Sequence, residues 1–188
     1  MSSEPSILVL TGASGAGKTT LVAALTERGL PGVGCYVFDS VGVPSPEEMT
    51  RVYGGGDQWQ SAMTEQWIAR LMRNDDGVRV AVLDGQVRPS MAIGHLRRLG
   101  TRRWQVVLAD CGHDERNARL LGPRGQPELA CRDMDCWAAY LRGQADALGL
   151  PVLDTSRPVD VAVAELAALV EGLAEGSATA GERLGDGD

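Results

Sequence analysis

Five short apolar runs punctuate the chain: residues 6–11 (SILVLT), 34–39 (GCYVFD), 78–84 (VRVAVLD), 104–110 (WQVVLAD) and 150–154 (LPVLD). They are rich in β-branched residues, and none alternates cleanly between apolar and polar. Strands of a parallel sheet covered by helices read this way, because neither face meets water. The stretches between them carry helical spacing. Leu21, Ala24 and Leu25 share one face of a helix that should end at Arg28-Gly29, and Trp59, Met63, Trp67 and Leu71 step by four through residues 57–73. Residues 91–99 and 134–148 also read as helices, and Val159, Val163, Leu166, Val170 and Leu173 mark a last amphipathic one. Strand alternating with helix in this manner predicts an α/β fold, a central parallel sheet with helices on both faces.

The 188 residues make one domain. We expect it to occupy residues 1–176, with the Gly-, Ala- and acid-rich residues 177–188 as a flexible tail. The formal charge is −7, with no basic stretch, which argues against nucleic acid or an anionic membrane as partner. No apolar run approaches the roughly eighteen residues of a spanning helix, and residues 1–6 do not open a secretory signal. Four cysteines in no dense pattern fit reduced thiols in a cytoplasm. All but one of the 18 basic residues are arginine, so Lys18 is the single side-chain ammonium.

That lysine stands in Gly12-Ala13-Ser14-Gly15-Ala16-Gly17-Lys18-Thr19, a GxxxxGKT pattern directly after an expected strand and before an expected helix. Glycines let successive N–H groups converge on phosphate oxygens, and the helix N-terminus adds its dipole. In such a loop Lys18 serves the β- and γ-phosphates and Thr19 offers a hydroxyl to Mg²⁺, with Thr20 beside it at the helix start. Asp84 ends the third strand, where a carboxylate lies beside the loop and helps to hold Mg²⁺. No NKxD-type guanine-reading motif occurs, which favours ATP over GTP.

The loop, Asp84-Gly85-Gln86-Val87-Arg88, the arginines between 116 and 124, and Val152-Leu-Asp-Thr-Ser156 together resemble the P-loop small-molecule kinases. That family includes the nucleoside monophosphate kinases and the shikimate, gluconate and adenylylsulfate kinases. The resemblance covers residues 6 to about 175 and implies a five-stranded parallel sheet in the order 2-3-1-4-5 with a small lid, here about residues 114–130. It implies that Arg88 grips an anionic group of the acceptor. It also implies that Arg116 and Arg119, on one helix face, neutralise charge on the transferring phosphoryl group, with Arg124 close by at the nucleotide. The turn containing Ser156 is where the family packs the adenine.

Asp39 follows the second strand, where alcohol-phosphorylating members carry an aspartate that orients a hydroxyl and accepts its proton. Nucleoside monophosphate kinases need none, because their acceptor oxygen is already ionised. The acceptor region then spans residues 41–73, with Arg51, Tyr53, Trp59 and Trp67 as candidate contacts, although the spacing of the tryptophans suits core packing better. Cys131 and Cys136 lie near the lid without CxxC knuckles, so packed, reduced thiols are expected rather than zinc. The resulting expectation is an ATP- and Mg²⁺-dependent phosphotransferase whose small-molecule acceptor is more readily a hydroxyl than a phosphate. The alternatives are a nucleoside monophosphate kinase and an ATP-binding regulator or ATPase without an acceptor. The sequence carries no signal for oligomeric state.

Overall fold

The computed structural model describes residues 4–176. Its elements run β1 (Ser6–Thr11), α1 (Lys18–Glu27), β2 (Val33–Val37), α2 (Pro46–Tyr53), α3 (Gly56–Arg73), β3 (Val80–Asp84), α4 (Pro89–Arg98), β4 (Trp104–Asp110), α5 (His113–Leu121), α6 (Arg132–Ala147), β5 (Val152–Asp154) and α7 (Val159–Glu175). Single 3-10 turns occupy Phe38–Val41 and Pro127–Leu129. The strands form one parallel sheet in the order β2-β3-β1-β4-β5, the order implied by the family resemblance.

The lack of alternation in the strands has a direct cause. Leu8 and Leu10 of β1 pack with Leu21, Leu25, Leu166 and Val170 under α1 and α7. Ile7 and Val9 point the other way, to Trp67, Ile68 and Leu96 under α3 and α4. Both faces are dry, so both residue parities must be apolar. A smaller cluster joins Ala13 and Leu108 to Leu141 and Ala145 of α6.

The register then aligns the strand ends. Leu10 and Val37 both lie opposite Asp84, and Asp110 lies opposite Asp154. Three carboxylates thus stand along the carboxyl edge of the sheet, where ligands of open α/β sheets bind.

Two helices went beyond the periodicity. Helix α2 buries no residue, so no apolar stripe announces it. Its signal is Ser45-Pro46-Glu47-Glu48: the Ser45 hydroxyl accepts from the Glu48 N–H at 3.2 Å, and proline opens the first turn. Helix α5 buries only Arg116 and Leu120. The expected second strand stops at Val37, and residues 38 and 39 belong to the 3-10 turn. The expected tail, residues 177–188, lies outside the described residues. No helix among the described residues is long and apolar enough to cross a membrane.

Candidate active site

The loop between β1 and α1 approaches neighbouring backbone so closely that glycine is obligatory. A Cβ on Gly12 would lie 2.4 Å from the Ala109 carbonyl oxygen. The loop is also bolted from behind. The Thr155 hydroxyl, in the turn after β5, donates to the Ala16 carbonyl at 2.8 Å. Arg119 of α5 donates to the Thr155 carbonyl at 2.6 Å and reaches the Gly15 carbonyl at 3.4 Å. Thr155 stands within the motif at residues 152–156, but its bracing role is not legible there, because its partner Ala16 is 139 residues away.

Lys18 is buried, its ammonium donating to the carbonyls of Gly12 at 2.8 Å and Ala13 at 3.1 Å. Burial lowers its pKa to about 8, opposed by the carboxylates of Asp84 and Asp39 and reinforced by the Arg124 guanidinium. The Asp84 pKa is raised, first by burial, with Asp39 adding to it and with Lys18, Arg124 and a hydrogen bond from Thr19 opposing it. Lys18 and Thr19, Asp39, Asp84 and Arg124, brought from four separate segments, therefore share one electrostatic field. Thr20 is exposed on the first turn of α1.

The Thr19 hydroxyl and the Asp84 carboxylate meet at the loop. Two adjacent hard oxygens are a donor set suited to Mg²⁺ rather than to a soft metal. Among the described residues no cluster of three or more His, Cys, Asp or Glu forms a protein-only cage. The four thiols are free, but only Cys111 is buried. Cys131 and Cys136 are exposed, which corrects the expectation of packed thiols there.

Asp39 is set in place by a close contact. A Cβ on Gly85 would fall 2.6 Å from the Phe38 Cβ, so only glycine lets the 3-10 turn settle on the end of β3. Beneath that turn, Trp67 donates its indole N–H to the Phe38 carbonyl at 3.0 Å, and Trp59 meets the Phe38 ring edge-on at 6.1 Å. Both tryptophans are core props rather than ligand contacts, as their spacing favoured. Tyr53 packs at the edge of the same cluster, and Arg51 is exposed, with Glu48 at 3.9 Å.

The arginines separate into different environments. Arg116 and Arg119 both face Gly15, as their spacing required, but Arg116 is buried and held by Asp135 of α6 at 2.6 Å. Its aliphatic stem packs against the loop while its guanidinium is occupied by a clasp between α5 and α6. Arg119 pairs with Glu115 at 3.0 Å and stays on the Thr155 side of the loop. Arg124 is the exposed one, and it is the one whose charge acts on both Lys18 and Asp84. Of the three arginines, Arg116 and Arg119 are thus engaged by other side chains and by the loop backbone, and Arg124 is the one whose charge reaches Lys18 and Asp84.

Arg88, at the start of α4, donates to Asp57 at 2.7 Å and to Gln60 at 2.8 Å, and its guanidinium lies 5.1 Å from the ring centre of Trp137. Gln86 joins the loop to α6. Its amide donates to the Ser14 hydroxyl at 2.7 Å and accepts from the Trp137 indole at 3.1 Å. Ser156 turns back on Asp154 at 2.5 Å and lines a hollow of about 320 Å³ with Asp110, Gly112 and Arg142.

No protein-family model matches the chain, and no curated protein matches it in sequence. Solved structures do match its fold. A gluconokinase from Sinorhizobium meliloti has a TM-score of 0.54 at 18% identity, covering 94% of this chain and 99% of the other. A shikimate kinase from Acinetobacter baumannii, in complex with shikimate, has 0.56 at 16%, covering 92% and 94%. An unliganded sugar kinase from a Janibacter species has 0.56 at 20%, covering 93% and 99%. The fold is that of the P-loop small-molecule kinases.

Proposed function

We propose that this chain, built on the fold of the P-loop small-molecule kinases, is an ATP-dependent phosphotransferase that moves the γ-phosphoryl group to a hydroxyl of a small molecule. The observation that carries this reading is the shared field of Lys18, Asp84, Asp39 and Arg124. A donor lysine, a metal-type carboxylate, a second carboxylate and an exposed cation converge there at the mouth of a phosphate loop.

The backbone amides of residues 12–19 and the Lys18 ammonium hold the phosphates. Thr19 and Asp84 would hold Mg²⁺, which neutralises charge on the β- and γ-oxygens. Asp39 orients the acceptor hydroxyl. As its oxygen bonds to the γ-phosphorus, the bond from that phosphorus to the bridging oxygen breaks, ADP departs, and the hydroxyl proton passes to the Asp39 carboxylate. Arg124, from the segment after α5, balances charge spreading over the equatorial oxygens. Arg119 and Ser156 flank the side of the loop suited to the adenine.

Two features favour a hydroxyl acceptor over a nucleoside monophosphate. Asp39 is positioned by dedicated packing, and the cation that would grip an acceptor phosphate, Arg88, is engaged by Asp57. The kinases of like fold are named for gluconate, shikimate and sugar, all of which bear hydroxyls. The test is Asp39→Asn. It keeps the size of the side chain and removes the basic oxygen, so kcat with the acceptor should fall roughly 10²–10⁴-fold while ATP affinity holds. An unchanged kcat would refute the proton-accepting role. ATP consumption that no acceptor accelerates would favour a regulator or ATPase.

A further inference from the structure

Beside the donor site, a cleft of about 480 Å³ opens between α3, α4 and α6, lined by Asp57, Arg88, Asp133, Cys136, Trp137 and Tyr140. It is joined to the phosphate loop by the Trp137–Gln86–Ser14 chain of hydrogen bonds. One wall is aromatic: Trp137 and Tyr140 stack with ring centres 5.5 Å apart at 21°, and Tyr140 is 43% exposed.

The charges in this cleft do not suit an anion. The guanidinium of Arg88 is already satisfied by Asp57, Gln60 and the face of Trp137. An anionic acceptor would have to displace the Asp57 carboxylate from it, against the repulsion of Asp133. Asp133 itself has no side-chain partner among the described residues. Two carboxylates against one arginine leave the lining net negative, and Asp39 adds another negative charge at the donor end. An aromatic wall beside one unpaired carboxylate and one that is only partly engaged is a surface for a ring whose C–H face packs on aromatics and whose ammonium pairs with carboxylate.

We propose that the acceptor is a ring polyol bearing an amino group, of the amino-sugar or aminocyclitol class, held by Asp57, Asp133 and the Trp137–Tyr140 wall. This rests on the phosphotransferase reading above. The amine is drawn to Asp133 and the outer oxygen of Asp57, and a ring hydroxyl is left to face Asp39.

The test uses the full chain with Mg²⁺ and ATP and a matched series of glucosamine, glucose, gluconate and glucose 6-phosphate, extended with 2-deoxystreptamine. ADP formation should be accelerated by an amine of the series, with kcat/KM at least about tenfold above that of either anion. Asp133→Asn should raise the KM for that amine about tenfold, with the KM for ATP as internal control. Amine titration should also change the Trp137 fluorescence, a response absent from Trp137→Phe. Faster turnover with gluconate or glucose 6-phosphate than with every amine, or no acceleration and no fluorescence response with any amine, overturns the inference. In the former case phosphoryl transfer itself stands. If ADP forms at the same rate with the whole series as with water alone, the phosphotransferase reading falls along with it.

Discussion

The donor and acceptor halves of the site are built on opposite principles. The donor half is largely local: eight consecutive residues present backbone amides, Lys18 holds them from within, and Thr155 and Arg119 brace them from behind. The proposed acceptor half is assembled from side chains on the turn after β2, on α3, on α4 and on α6, joined by Gln60, Gln86 and Arg88. In the proposed reaction phosphate is the constant ligand, so it can be met by backbone, whose geometry depends little on side-chain identity. The acceptor must be told apart from its analogues, and only side chains do that.

The comparison breaks first if the donor half proves dispensable. Lys18→Ala should lower turnover about 10²–10³-fold without altering the far-UV circular dichroism, since the ammonium is bonded to carbonyls that the loop can solvate without it. Undiminished turnover in the folded variant would remove the loop from the reaction.

Next come the arginines, which the structure has divided. Arg124→Ala should lower kcat by about 10²-fold with little change in the KM for ATP, whereas Arg119→Ala should chiefly raise that KM, because its bonds go to Gly15 and Thr155. The reverse pattern in steady-state kinetics would return Arg119 to the transition state.

Arg116→Ala should lower Tm by a few degrees, by loosening the α5–α6 clasp. Its hydrogen bond holds the Asp135 carboxyl below the ordinary carboxylate pKa. Stability from a depressed carboxyl is present above the unfolded-state pKa and is lost as pH falls through the folded one. The Tm gap between the two proteins should therefore narrow below about pH 4. A gap independent of pH would mean that Arg116 acts by packing alone.

The smallest effect is a proton. With the Lys18 pKa lowered to about 8, part of the lysine is neutral above that pH, and phosphate should recharge it. Calorimetry in buffers of different ionisation enthalpy should find net proton uptake on ATP binding near pH 8.5, fading toward pH 6.5 and absent in Lys18→Arg. Equal proton linkage at both pH values would contradict the burial-driven shift.

Much of the architecture was legible from residue order. Runs without alternation meant a sheet covered on both faces, and GxxxxGKT in its strand–helix setting meant a phosphate loop. Helix α2 was missed because it buries nothing, even though its capping box was in view. The role of Arg116 could not be read, because its partner Asp135 lies 19 residues away on another helix. The same holds for Arg88, whose spacing from Asp84 is visible but whose neutralisation by Asp57 is not.

The sequence by itself determined the strands, the loop and the position of Asp84 at a strand end with Asp39 just past another, because hydrophobic period and backbone sterics act over a few residues. Only the tertiary structure decided which arginine faces Lys18, which tryptophans are core and which one lines a cleft, and what charge that cleft carries. Those properties depend on which side chains meet across elements distant in sequence. Desolvation and Coulomb attraction, which set their charge and pairing, depend on distance in space and not along the chain.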